Sequence, residues 1–252
     1  MAGRVIVFAN QKGGVGKTTS AANLGSYIAD SGRSVLLIDF DPQGNLSSCF
    51  GIDAKKPGIY EVLSGELSLC DAIQDTQIDH LKLVSSNIDL TGASIELIDA
   101  AERDFFLKKS IATVIDAWDY IFIDCPPSLG ILTLNGLVAA EYVFIPLQCE
   151  YFALEGLSLL LQTIQRVQHG PNPSLKIGGI IFTMYDSRTR LAHEVVEEVT
   201  GYFKDKVFRT IIPRNIRLSE APSHGQPINR YDAECIGAKS YERLSQEVLS
   251  RV

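Results

Sequence analysis

The chain has 252 residues, with 23 Lys plus Arg against 30 Asp plus Glu, so its formal charge is −7. At roughly 150 residues per domain the length suits one or two domains, and 46% apolar with 21% charged residues excludes disorder as the main state. The acidic balance excludes a polycation that grips nucleic acid by bulk charge, while leaving room for a local basic patch. Five cysteines (Cys49, Cys70, Cys125, Cys149 and Cys235) never form a C-x-x-C pair. That argues for reduced thiols, not a disulfide framework or structural zinc. The opening apolar run, Val5 to Ala9, is too short for a signal peptide. No apolar run reaches the ~18 residues that would span a bilayer. A cytoplasmic protein with no membrane contact is expected.

Continuous β-branched or aromatic runs at Val5–Phe8, Val35–Ile38, Tyr120–Ile123, Tyr142–Ile145 and Ile177–Phe182 predict strands buried on both faces. Between them, the patterning predicts helices at Lys17–Ser31, Ala101–Ala117, Leu129–Ala139, Leu154–Gln168, Ala192–Phe203 and Gly237–Arg251. The less regular stretch Gly51–Thr91 reads as short helices and a peripheral strand at Leu81–Ser85. Strand–helix alternation of this kind predicts an α/β fold, a mostly parallel sheet with helices on both faces. With no linker or repeat in the pattern, residues 1–252 are expected to form a single domain.

The strongest chemical signal follows the first strand: Gln11-Lys12-Gly13-Gly14-Val15-Gly16-Lys17-Thr18-Thr19. Glycines let the backbone approach a polyanion, and successive N–H groups then converge on phosphate oxygens. Lys17 is placed to reach β/γ-phosphates and the Thr18 hydroxyl to join a Mg²⁺ shell. The strict G-x-x-x-x-G-K-[ST] pattern fails at its first glycine, which is Gln11, and Lys12 is an additional lysine.

Two further boxes end strands. Asp39-Phe40-Asp41-Pro42-Gln43-Gly44-Asn45 delivers two carboxylates, and alternation along an extended chain predicts Asp39 and Asp41 on one side. Tyr120–Ile123 followed by Asp124-Cys125-Pro126-Pro127-Ser128 has the pattern that brings a carboxylate near Mg²⁺. At Thr183-Met184-Tyr185-Asp186, Met184 stands where many guanine-binding proteins carry a lysine, which weakens a GTP reading.

Lys12-Gly13-Gly14-Val15-Gly16-Lys17-Thr18-Thr19 resembles the deviant Walker A box of the ParA/MinD group of P-loop ATPases. Ile211-Ile212-Pro213-Arg214-Asn215-Ile216-Arg217-Leu218-Ser219-Glu220-Ala221-Pro222-Ser223-His224-Gly225 and Met184–Arg190 resemble blocks of its small chromosomal ParA/Soj branch. The resemblance implies the P-loop fold, ATP with Mg²⁺, and slow hydrolysis that resets an ATP-sandwiched homodimer. It gives Lys12 to the partner subunit's nucleotide, where it acts like an arginine finger. It gives Asp41 to the attacking water and Asp39 to support of the magnesium shell. The base pocket falls to Met184, Pro213, Arg214 and Asn215.

The same resemblance implies non-specific double-stranded DNA binding through Arg188 and Arg217, whose guanidinium forks suit phosphate oxygens. Arg190, Lys239 and Arg243 are weaker candidates. It further implies a ParB-type partner that stimulates hydrolysis, and nucleoid association. With a first strand near residue 4, no leading helix-turn-helix domain of the kind found in larger plasmid relatives is expected. Two other readings share the loop. A membrane-recruited positioning ATPase of the MinD type needs a C-terminal amphipathic membrane helix, and Glu242–Val252 is mixed in charge without Phe or Trp. An iron–sulfur reductase needs paired cysteines, for which Cys125 and Cys149 are the available candidates.

Overall fold

Each expected strand forms in the computed structural model, which describes residues 3–52, 57–97, 101–150 and 153–252. In chain order the first half contains β1 (Arg4–Phe8), α1 (Lys17–Asp30), β2 (Val35–Asp39), α2 (Asn45–Ser48), α3 (Ile59–Ser64), α4 (Leu69–Ala72), β3 (Ile73–Asp75), β4 (Leu81–Val84), α5 (Leu90–Glu96), α6 (Phe106–Ala112) and β5 (Tyr120–Asp124). The second half contains α7 (Ile131–Ala139), β6 (Tyr142–Gln148), α8 (Ala153–Gln168), β7 (Lys176–Thr183), α9 (Arg190–Phe203), α10 (Ile216–Glu220), α11 (Ile228–Tyr231) and α12 (Ile236–Arg251).

The strands make one seven-stranded sheet in the order β3-β4-β2-β5-β1-β6-β7. All pairings are parallel except that of β3 with β4 at one edge. Side chains alternate across the sheet with a period of two. Val5, Val7, Leu36, Ile38, Ile121 and Ile123 face a core that includes Leu137 of α7 and Leu157 and Leu160 of α8. Ile6, Phe8, Val35, Leu37 and Phe122 face the opposite core, with Leu24 and Ile28 of α1 and Tyr241, Leu244 and Val248 of α12. Every residue of β2 and β5 is buried. This arrangement lines up the carboxyl ends of β1, β2 and β5, where open α/β sheets bind ligands.

Two expectations are corrected. Residues Ala101–Ala117 do not form one helix: α6 spans only Phe106–Ala112, and a single 3-10 turn follows at Ile115–Ala117. The cause is tertiary. Asn135 of α7 accepts a hydrogen bond from the Leu107 amide (3.2 Å) and donates to the Arg103 carbonyl (2.8 Å), so it captures backbone groups that a longer helix would use itself. The antiparallel edge strand β3 was also not expected, because three residues, Ile73 and Gln74 half-buried and Asp75 exposed, carry too little apolar pattern.

Strand β7 contains a glycine pair that makes room for two rings. Val143 pairs with Ile177 and Phe144 with Gly179, so Gly178 is an extra residue that bulges the strand. A Cβ on Gly179 would sit 2.2 Å from the fully buried Phe208 ring, which packs edge-on against Phe144 at 5.2 Å. Gly179→Ala is therefore expected to destabilise the fold by about 1–3 kcal/mol through overpacking. Denaturant unfolding measures this directly, and an unchanged midpoint would contradict the packing argument.

Candidate nucleotide-binding site

The loop between β1 and α1 is held from three directions. Asn10, almost fully buried, donates to the Pro146 carbonyl (2.8 Å) and accepts from the Lys12 amide (3.0 Å). Thr183 Oγ1 donates to the Val15 carbonyl at 2.8 Å. Gly16 takes φ 85° immediately before α1, and a Cβ there would approach the Thr183 methyl at 3.4 Å. The first turn of the 14-residue α1 thus presents its amides beside the loop, a geometry that favours anions.

Lys17 is only 6% exposed, and its Nζ lies 3.3 Å from the Lys12 carbonyl. Burial lowers its pKa, an effect opposed by the nearby Asp124 and Asp41 carboxylates. Such an ammonium has given up water and lacks a full charge partner. A triphosphate would supply one.

The three carboxylates take different positions. Asp124 is fully buried at the end of β5, where its Oδ2 accepts the Thr18 hydroxyl at 2.6 Å. Its Oδ1 is buried without a hydrogen-bond partner among the described residues. Burial and then Asp39 raise its pKa, while the Thr18 bond and Lys17 oppose the rise. An orphaned carboxylate oxygen beside a threonine hydroxyl is a donor set that fits a hard, oxygen-seeking cation such as Mg²⁺.

Asp41 is 7% exposed and lines the cavity beside Lys17, and its Oδ1 accepts the Gln43 amide at 3.0 Å. Asp39 differs. Strand β2 ends at Asp39 and the chain turns, so the strict alternation expected for these two residues stops there. Asp39 is fully buried and does not line the cavity. Its carboxylate accepts the Ser47 hydroxyl (2.7 Å) and amide (2.8 Å) and the Asp41 amide (3.3 Å). Burial pushes its pKa up to about 6 against those bonds. Asp39, which the resemblance gives to support of the magnesium shell, thus lies behind the cavity wall, where it pins α2 and the turn that carries Asp41.

A cavity of about 400 Å³ lies over the loop, lined by Gly13, Gly14, Gly16, Lys17, Thr18 and Thr19 and, opposite them, Asp41, Gln43, Asn45 and Pro127. It shares Gly16, Thr19, Met184 and Pro222 with an adjoining hollow of about 250 Å³. That hollow brings together the four expected base residues, Met184, Pro213, Arg214 and Asn215. Backbone bonds explain the convergence: the Tyr185 amide donates to the Ile212 carbonyl (3.1 Å) and the Arg214 amide to the Tyr185 carbonyl (3.0 Å). Met184 turns the chain there with φ 49°.

Sequence reasoning missed Tyr241 and Leu218, which line the hollow, and Ser48 and Cys49, which line the main cavity. Tyr241 is 1% exposed, with its hydroxyl 3.1 Å from Ser20 Oγ. Nothing in the patterning of α12 separates it from an ordinary core residue. Gln43 and Asn45 belong to the box that ends β2, but residue type alone gives them no role there.

Other expected residues lie outside the cavity. Val15 is buried beneath the loop. Lys12 points away and pairs with Glu150 at 2.7 Å. Arg188 forks onto Asp186 (2.9 and 2.7 Å), with its side chain 85% exposed. Arg217 pairs with Glu220 (2.9 Å) and Asp232 (3.4 Å). Both arginines extend from the two segments that wall the base hollow. Of the weaker candidates, Arg190 pairs with Glu194 and Lys239 with Glu234, while Arg243 is exposed.

The rival readings meet specific obstacles. The apolar face of α12 is already buried, through Ala238, Tyr241, Leu244 and Val248, in the core it shares with α1. No helix among the described residues is long and apolar enough to cross a membrane. Cys125 and Cys149 are both buried, and burial pushes their thiols up, away from the thiolate an iron–sulfur cluster needs.

Residues 3–177 match a family model described as an AAA domain. The chromosome-partitioning ATPase Soj of Treponema pallidum is 61% identical over 249 residues, which is 99% of this chain and 98% of that protein. The chromosome partitioning protein ParA of Myxococcus xanthus is 51% identical over 251 residues, 99% of this chain and 89% of that protein. The solved structure of cobyrinic acid a,c-diamide synthase from Mycobacterium smegmatis, with a bound ATP analog and magnesium, superposes with a TM-score of 0.86 at 39% identity, over 98% of this chain and 94% of that one. Sequence agreement is thus greater with the partitioning proteins, and it runs the whole length of the chain. With the deviant loop, the strand-end carboxylates and the Pro213–Asn215 wall all in place, the chain belongs to the ParA/Soj family of chromosome-partitioning ATPases.

Proposed function

We infer that the protein is a chromosome-partitioning ATPase that takes ATP with Mg²⁺ as its cofactor. The observation that carries this reading is the buried Asp124, one oxygen on the Thr18 hydroxyl and the other unpaired among the described residues, beside a buried Lys17. Thr18 and, behind it, Asp124 would hold the ion, whose charge offsets that of the β- and γ-phosphates. Lys17 and the amides at the start of α1 bind and orient the phosphates. Asp41 faces the cavity and orients the attacking water, taking up its proton. The neighbouring hollow takes the adenine through Met184 and the Pro213–Asn215 backbone.

ATP switches the protein from a monomer to a dimer in which Lys12 of each subunit serves the other's nucleotide. The acidic chain binds DNA poorly as a monomer, and pairing two modest basic patches overcomes that. Arg188 and Arg217 supply the phosphate contacts, so the ATP-bound dimer is nucleoid-associated. Their present carboxylate pairs are exposed, hence weak enough to exchange for phosphate. A ParB-type protein stimulates hydrolysis and returns the dimer to monomers.

The test is a titration with double-stranded DNA of mixed sequence, using ATP, ADP and no nucleotide, repeated across salt. Tight binding with ATP alone is expected, together with dimers by sedimentation. A monomer saturated with a non-cleavable ATP analogue would overturn the switch. Arg217→Ala is expected to weaken binding equally for all sequences and to reduce the salt slope by about 1.8, because the dimer loses one phosphate contact from each of its two subunits. Loss confined to particular sequences would contradict this role.

A further inference from the structure

The segment between β7 and α9 carries Arg188 with its side chain almost fully exposed, yet the backbone beneath it is tied at both polar atoms. Asp186 Oδ1 accepts the Arg188 amide at 3.0 Å, and the Ser187 carbonyl, in the same peptide unit, accepts from His193 Nε2 at 3.0 Å. Because that unit is planar, holding its N–H and its C=O fixes its orientation. The Asp186 carbonyl accepts the Thr189 amide and hydroxyl, both at 3.1 Å, which closes the turn around Arg188.

His193 lies in the first turn of α9 and is exposed. A carbonyl oxygen only accepts, so Nε2 carries a proton, and in the neutral ring Nδ1 is then the acceptor. The Tyr185 hydroxyl stands 3.0 Å from Nδ1, the nearer of the two ring nitrogens, and the rings meet edge to face with centroids 5.6 Å apart. The main chain of Tyr185 is itself clasped by Ile212 and Arg214 of the base-hollow wall. The segment is thus strung between two supports, that wall on one side and the head of α9 on the other.

We propose that His193 is a positioning residue for Arg188, fixing the peptide from which the guanidinium reaches a DNA phosphate. This inference rests on the reading above, in which Arg188 contacts DNA. With the Ser187–Arg188 peptide held, the Cα–Cβ bond of Arg188 points one way and only side-chain torsions remain to be ordered. Binding then costs less ordering than it would from a loose loop. Asp186 orders the guanidinium in the absence of DNA, through an exposed pair that phosphate can replace. Among the described residues no hydrogen bond joins His193 to the guanidinium, so that exchange leaves the brace intact.

His193→Phe keeps a ring of similar outline and removes both nitrogens, whereas His193→Gln keeps an N–H that can reach the Ser187 carbonyl. An exposed hydrogen bond shifts an equilibrium by about two- to fivefold, and a symmetric dimer loses two. With a non-cleavable ATP analogue, His193→Phe should therefore bind mixed-sequence double-stranded DNA about four- to twenty-five-fold more weakly, and His193→Gln within about twofold of the parent. Affinity for ATP and dimerisation should keep the parent's values in both. Parental DNA binding by His193→Phe, or equal weakening by His193→Gln, would overturn the brace.

The same titration in an Arg188→Ala background separates positioning from a general effect on the fold. With nothing left to position, His193→Phe should change DNA affinity there by less than about twofold. An undiminished loss in that background would overturn the role. Should His193→Phe dimerise poorly, Tyr185→Phe, which deletes only the hydroxyl bonded to Nδ1, should weaken DNA binding in the same direction by a smaller factor, and no change would again overturn it. Arg188→Ala alone distinguishes the two ideas. Unchanged DNA binding by that variant would defeat the contact itself, whereas weakened binding beside a normal His193→Phe would defeat only the brace.

Discussion

Lys17→Ala is expected to lower the affinity for ATP by on the order of 10²–10⁴-fold. Three features set that size. Lys17 is nearly buried, its ammonium is deprived of water by that burial, and its one direct hydrogen bond among the described residues is a long one to the Lys12 carbonyl. A triphosphate entering the cavity would meet a charge that costs nothing further to desolvate. Removing one partner of a buried charge pair costs about 3–5 kcal/mol. Isothermal titration with ATP and Mg²⁺ measures the loss directly.

Thermal unfolding separates this loss from a folding defect. Without nucleotide the variant should unfold near the parent's midpoint, because deleting a desolvated ammonium removes a cost as well as a contact. With ATP at about 100 times the parent's Kd, the parent gains about 2.7 kcal/mol and the variant almost none. An equal ligand-induced shift in both proteins would remove Lys17 from the phosphate site.

Asp41→Ala gives the opposite split. ATP should still bind, while turnover falls by about 10²–10⁴-fold, the range for a positioned general base. Asp41 lines the cavity without touching Lys17 by any hydrogen bond among the described residues, and its carboxylate already holds the Gln43 amide. Alanine removes both the base and that amide contact. Asp41→Asn keeps the amide contact through its side-chain oxygen and loses only the charge. Both variants should therefore be slow, and both should accumulate ATP-bound dimers. Single-turnover phosphate release checks this. Recovery of normal turnover in Asp41→Asn would show that holding the Gln43 turn, rather than handling water, is the task of this side chain.

Much of the site could be read from residue order because phosphate binding is a local act. Lys12 to Thr19 are contiguous, and contiguous glycines next to a buried strand suffice to shape a loop. Asp41 and Asp124 were readable for a related reason: Asp124 ends β5 and Asp41 lies two residues beyond the end of β2, and parallel strands deliver their carboxyl ends to one edge. Asp39 shows the limit of that logic. Alternation holds only inside a strand, and the chain turns at Asp39, where the nearby Ser47 then claims the carboxylate. The helix expected over Ala101–Ala117 failed similarly, since Asn135 from another element took backbone groups that local propensity had assigned to the helix.

Residue order alone determined the chemistry of this protein: two lysines on a glycine bend, a strand-end carboxylate behind a threonine, and strands apolar enough to be covered on both sides. These depend on neighbours a few positions apart, where covalent geometry leaves few choices. Tertiary structure decided which distant groups meet them. It brought Tyr241 of the last helix beneath the base hollow, paired Arg217 with Asp232, and set Glu150 against Lys12. Those contacts come from the order of strands in the sheet and from packing against its faces, and no short stretch of sequence encodes either.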